Sequence, residues 1–108
     1  MLKGEQIPLT PIIAISGNKL RLNCSTVLSI PVSWKYTQVG HSEKEFLFHA
    51  GDLNYKYWDR YSIDSSKRGQ YDIIIKQVEM KDGGSYICTE RANFGDDLNA
   101  IELNVVGK

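Results

Sequence analysis

The stretch Asp82-Gly83-Gly84-Ser85-Tyr86-Ile87-Cys88 decides the fold, read with Trp34, which stands ten residues after the other cysteine, Cys24. Its glycine pair closes the one segment with the look of a helical turn, Glu79 to Gly83. From Ser85 to Arg91 the chain then reads as a half-buried strand. Working outward, the same alternation recurs. Leu20, Leu22 and Cys24 alternate with Lys19, Arg21 and Asn23, and Val32, Trp34 and Tyr36 give the next strand. Further strands are read at Glu45 to His49, Arg60 to Ser65, Tyr71 to Lys76 and Ala100 to Val106. Turn residues punctuate them at Ser16-Gly17-Asn18, Gly40-His41-Ser42, Ala50-Gly51-Asp52, Ser66 to Gly69 and Asn93 to Asp97. Many short strands and no long helical stripe predict an antiparallel sandwich or barrel. Pro8 and Pro11 each remove a ladder donor, so the segment around them is predicted to lie at a sheet edge.

Composition narrows the function. The chain has 108 residues, 42% of them hydrophobic, which fits one folded domain over residues 1–108. Thirteen basic residues balance thirteen acidic ones, so no basic field exists to bind nucleic acid or an anionic membrane. The longest apolar run, Ile12 to Ile15, falls far short of the roughly 20 residues that cross a bilayer. Neither a phosphate-cradling glycine loop nor a GxSxG or HExxH motif occurs, so no catalytic constellation and no cofactor are expected. His41 and His49 read as surface histidines, not metal ligands, and adjacent Asp96 and Asp97 point apart on extended chain. The 63 residues between Cys24 and Cys88 exclude a CxxC redox pair and are too sparse for zinc.

The order Cys24, Trp34, then Asp-x-Gly-x-Tyr-x-Cys ending at Cys88 resembles the immunoglobulin fold over essentially the whole chain. The long interval between the cysteines looks like the variable, or V-set, type. That resemblance implies an all-β immunoglobulin-like sandwich of two antiparallel sheets, ABED and GFCC′C″. It implies a Cys24–Cys88 disulfide with Trp34 packed on it, and a Tyr86 hydroxyl bonded to backbone a few residues upstream, with Gly84 leaving room for that turn. Asp59-Arg60-Tyr61-Ser62-Ile63 is similar to strand D of such domains and implies an ion pair between Arg60 and Asp82. Two departures separate the chain from antigen receptors. Asp97-Leu98-Asn99-Ala100 stands where the Phe-Gly-x-Gly bulge of strand G should be, and Thr37 stands where a pairing glutamine would. A disulfide implies an oxidising, extracellular setting, either on a cell surface or secreted. Asn23-Cys24-Ser25 is a glycosylation sequon, and Asn23 is expected to point outward when Cys24 points in.

Within this frame, strict alternation puts Lys35, Thr37, Ile87, Thr89, Leu98, Ala100 and Glu102 on the outside of the GFCC′ sheet, joined by Phe46 and Phe48. Ile87, Leu98, Ala100 and Phe46 would form a partly apolar patch, the mark of a protein interface. The opposite face presents Lys19, Arg21, Asn23 and Lys76, which are costly to strip of water. Arg91, Asn93 and Phe94, in the loop before strand G, add residue types that concentrate binding energy. The expectation is a domain that binds another protein, with self-association as a homodimer or a ligand-free spacer role as the alternatives.

Overall fold

The computed structural model describes residues 7–27, 32–49, 52–54, 56, 59–90 and 96–107. Among these residues nine strands follow one another: β1 (Thr10–Ile15), β2 (Leu20–Leu22), β3 (Val32–Gln38), β4 (Glu45–His49), β5 (Asp52–Leu53), β6 (Tyr61–Asp64), β7 (Asp72–Ile75), β8 (Gly84–Glu90) and β9 (Asp97–Val106). They form a six-stranded sheet in the order β1-β9-β8-β3-β4-β5 and a three-stranded sheet in the order β2-β7-β6. The strands correspond in chain order to A, B, C, C′, C″, D, E, F and G of the expected sandwich.

Alternation explains how the two sheets close on each other. Leu20 and Leu22 lie opposite Ile75 and Ile73, which in turn face Tyr61 and Ile63 across the next ladder. From the larger sheet, Trp34, Tyr36, Tyr86, Cys88, Ile101 and Leu103 supply the other half of the core. The Cys24–Cys88 disulfide ties the sheets together with its Cα atoms 6.4 Å apart. Trp34 is fully buried directly across β3/β8 from Cys88, and its indole N–H donates to the Tyr71 carbonyl at 2.7 Å.

Three expectations about strands need correction. Strand A was expected beside strand B, but β1 runs parallel to β9, from Thr10↔Ile101 to Ile15↔Val106. Alternation tells which side chains turn inward, here Ile12 and Ala14, but not which sheet supplies the neighbour. The edge position itself holds, since β9 is the strand's one neighbour in the sheet. Strand G begins at Asp97, three residues earlier than read, because Thr89 pairs with Asp97. Finally, strand G carries a bulge although the glycine motif is missing. Cys88 faces Asn99 while Thr89 faces Asp97, which leaves Leu98 as the extra residue.

Candidate partner-binding face

The outward face of the six-stranded sheet is organised in transverse rows. Phe46 of β4 pairs with Lys35 of β3, Lys35 with Ile87 of β8, and Ile87 with Ala100 of β9. One row thus carries an aromatic ring, an alkyl stem with its ammonium, a branched aliphatic side chain and a methyl group, side by side at the strand spacing of about 4.8 Å. A second row runs Ser33, Thr89, Asp97, and a third runs Thr37, Ser85, Glu102. The apolar centre is therefore bordered on one side by Thr37, Ser85 and the exposed Glu102, as a polar rim borders an interface core; on the other side Ser33 and Thr89 are buried and only Asp97 is partly exposed.

Burial divides the expected residues. Phe46 and Ile87 are half-buried and present apolar surface. Thr89 and Ala100 are only 2% and 1% exposed, so they form the floor of the face and offer little contact area. Phe48 is corrected outright. It is 6% exposed, lies opposite Trp34 and has its ring centroid 6.1 Å from that of Tyr71, so it belongs to the core. The cause is a second bulge. Trp34 pairs with Phe48 while Lys35 pairs with Phe46, so Leu47 is inserted and the alternation slips by one. Leu98 is corrected for the same reason, being half-buried and packed against the core cluster through the bulge at its own position. Arg91, Asn93 and Phe94 lie outside the described residues.

His49 is the member of this face that sequence reasoning passed over. With the slip at Leu47, His49 returns to the outer side, where its ring centroid lies 4.2 Å from that of Phe46. Its Nδ1 is 3.4 Å from the Ser33 hydroxyl, a contact at the long limit of hydrogen bonding. The one available signal was the Phe46-Leu47-Phe48-His49 run, whose three consecutive apolar residues cannot all obey alternation.

Below the sandwich, a polar cluster fixes the loop that leads into β8. Arg60 grips Asp82 with two parallel bonds, Nη1 to Oδ1 at 2.7 Å and Nη2 to Oδ2 at 2.6 Å. The Tyr61 hydroxyl donates to Asp82 Oδ1 at 2.9 Å, the Glu79 amide donates to Oδ2 at 2.7 Å, and Tyr86 donates to the Asp82 carbonyl oxygen. Burial alone would raise the Asp82 carboxyl, but the Arg60 guanidinium and these donors hold it below the usual carboxylate range. Burial pushes the Tyr36 hydroxyl, whose ring stacks on Tyr86, up to about 12. Tyr61 and Tyr86 are raised further by the same desolvation. These hydroxyls stay protonated at neutral pH and serve as fixed donors.

On the three-stranded sheet's outer face, Arg21 Nη1 bridges Asp64 and Asp72, each at 2.8 Å. Asp72 Oδ1 also accepts the Cys24 amide at 2.7 Å. Asn23 is exposed, as the sequon requires, and its carbonyl accepts from Asn99 Nδ2 at 2.6 Å. Among the described residues, no cluster of three or more His, Cys, Asp or Glu side chains could hold a metal, and no helix is long and apolar enough to cross a membrane.

The immunoglobulin V-set domain model matches residues 8–106. No curated protein matches the chain. Among solved structures, the first immunoglobulin domain in the ZIG-8 IG1 homodimer is similar to it with a TM-score of 0.71 and 18% identity, over 93% of this chain and 81% of that one. A chain of the ZIG-8-RIG-5 IG1-IG1 heterodimer is similar with a TM-score of 0.66 and 20% identity, over 92% of this chain and 83% of that one.

Proposed function

We propose that this chain, which belongs to the immunoglobulin V-set family, is an extracellular recognition domain, part of a cell-surface receptor, an adhesion ectodomain or a secreted immune-type protein. It binds a protein partner through the outer face of its six-stranded sheet. One observation carries this reading: the row Phe46, Lys35, Ile87, Ala100, which sets two half-exposed apolar side chains in the middle of a polar sheet face. Burying that row strips few charges of water, whereas the opposite face would have to desolvate Lys19 and Lys76 and break the Arg21 bridges. The polar border of Thr37, Ser85 and Glu102 fixes orientation, and Phe46 backed by His49 has the size and stiffness of an anchor. Such a module binds; it performs no chemistry on its partner, and it requires no cofactor, nucleic acid or membrane insertion.

A second reading, self-recognition through this same face, is supported by the similar domains described as a homodimer and a heterodimer. The formal net charge of zero sets no long-range repulsion between copies. Glycosylation at exposed Asn23 fits both, since Asn23 follows β2 and is not part of the Phe46–Lys35–Ile87–Ala100 row. The test uses fluorescent tetramers of the domain on cells that display candidate partners, including cells displaying the domain itself. Ile87→Asp and Phe46→Asp should abolish staining with the thermal midpoint nearly unchanged, while Lys19→Asp and Lys76→Asp should leave staining intact. Staining lost with the lysine changes and kept with the other two would place the contact on the wrong sheet and end this reading.

A further inference from the structure

Strand β1 forms one edge of the larger sheet, and its free side has an unusual inventory of backbone groups. The Ser16 amide donates to the Val106 carbonyl at 2.8 Å. In a parallel ladder the bonding residues alternate, so Ile12, Ala14 and Ser16 point their backbone groups at β9 while Pro11, Ile13 and Ile15 point theirs away from it. Pro11 has no N–H to offer. The Ile15 carbonyl already accepts the Asn18 amide at 3.1 Å, in the turn that leads to β2. Among the described residues, what remains free between positions 11 and 15 is the Pro11 carbonyl, both groups of Ile13 and the Ile15 amide.

We propose that this edge pairs with the same edge of a second copy of the chain, antiparallel and centred on Ile13. In that register the two Ile13 residues exchange both of their backbone bonds, and each Ile15 amide donates to the Pro11 carbonyl of the other copy. The bonds that would be missing from a full ladder are Pro11 N–H to the Ile15 carbonyl, and neither partner needs them: the first has no hydrogen, and the second is already satisfied. The Pro11 ring carbon meets that carbonyl as a weak C–H···O contact. No other register of this short edge satisfies every free group between positions 11 and 15.

Side chains favour the same occupant. Pro11, Ile13 and Ile15 project from one face, with Ile13 72% and Ile15 45% exposed, and Val106 beside Ile15 on β9 is 42% exposed. Pairing about Ile13 sets Ile13 against Ile13 and Ile15 against Pro11, an apolar ladder. Leu9 to Ile15 contains no charged residue, so two identical copies meet without like-charge repulsion. Edge strands of soluble proteins are ordinarily blunted by lysines, by prolines, by bulges or by being very short; β1 does carry Pro11, but in this register the proline costs no bond, because the Ile15 carbonyl opposite it is already satisfied. The opposite edge of the sheet, β5, has only two residues, but β1 has six and pairs without a register break. A two-fold axis at Ile13 closes the pairing, so the product is a dimer with one continuous sheet and not a filament.

Sedimentation of the wild-type chain over a wide range of loading concentration should show a monomer that passes to a dimer and stops there. Amide hydrogen exchange at Ile13 and Ile15 should slow as concentration rises. Ile13→Pro removes the central donor without touching the bonds to β9, and Ile13→Lys places a charge in the apolar ladder. Each should weaken dimerisation by at least about tenfold, or ~1.4 kcal/mol, with the thermal midpoint little changed. Ile87→Asp, which abolishes recognition by the outer face, should leave this dimer intact, so the two surfaces fail separately. If Ile13→Pro does not fold, the lysine variant and the wild-type exchange rates still decide. A monomer at all concentrations with fast exchange at both amides overturns the proposal. So does assembly of the Ile87→Asp chain that continues past the dimer, or a dimer lost in Ile87→Asp and kept in Ile13→Lys.

Discussion

Two residues beneath the core show how much of a sandwich rests on single atoms. Asp82 is 1% exposed in its side chain and is compensated by Arg60, itself 18% exposed. Removing the guanidinium would leave a carboxylate without its charge partner, which typically costs about 3–5 kcal/mol, far more than an exposed pair is worth. Arg60→Met should therefore lower the denaturant midpoint strongly, whereas Lys56→Met, which breaks the exposed contact with Glu45 at 3.1 Å, should barely move it. Equal effects of the two would show that Asp82 is solvated. Gly84 is the other such residue. Its φ of 145° lies where L side chains rarely go, and a Cβ there would sit 2.1 Å from the Thr37 carbonyl oxygen. Gly84→Ala must push β3 and β8 apart at the point where they pair, so a loss of more than about 1–3 kcal/mol, the usual scale of local backbone strain, is expected in equilibrium unfolding. An alanine variant as stable as the wild type would mean that the strands separate there at no cost.

At the scale of strands, what was legible depended on whether the ladder stayed regular. The interval from Cys24 to Trp34 and the Asp-x-Gly-x-Tyr-x-Cys run located β2, β3 and β8, the disulfide and the tyrosine turn, because each rests on local spacing. The same local resemblance placed Arg60 beside Asp82. The outer face was legible only as far as alternation held: Lys35, Ile87 and Phe46 lie where it puts them, but Phe48 and Leu98 do not. A bulge adds one residue to one strand, and nothing in Phe46-Leu47-Phe48-His49 announces which residue is the extra one. The sheet chosen by β1 was equally hidden, since an edge strand with Ile12 and Ala14 turned inward serves either layer. The disulfide gives the prediction proper to this scale. Replacing both cysteines by alanine should cost about 2–5 kcal/mol, mainly by releasing the unfolded chain. Asp72, which holds the Cys24 amide, keeps β2 in register, so the outer face should still bind when the double-alanine variant is assayed below its melting temperature. Loss of binding in a folded variant would tie recognition to the bridge itself.

For the whole molecule, zero formal net charge conceals an uneven distribution of carboxylate strength. The Ser66 amide and hydroxyl, then Arg21, hold Asp64 down to about 2. Burial opposes ionisation of Asp72, yet the Cys24 amide, Gln70 and Arg21 outweigh it and keep that carboxyl low as well. With Asp82 this makes three carboxylates, two paired with each other at one end of the three-stranded sheet and the third beneath the core, whose folded forms resist protonation. A depressed folded value means that the unfolded chain takes up the proton first. The stabilisation is complete above the ordinary carboxylate range near 4 and is lost as pH falls through the lowered values. Urea midpoints should therefore be nearly flat from pH 7 to 5 and fall between pH 4 and 2. Asp72→Asn should flatten that slope while lowering the plateau at neutral pH, because the amide keeps the shape of the carboxyl and loses the charge that Arg21 bridges. A fold equally stable at pH 4 and pH 2, or an Asp72→Asn variant with the wild-type slope, would mean that these bonds are no stronger folded than unfolded, and the acid sensitivity would have to be sought in the exposed acids instead.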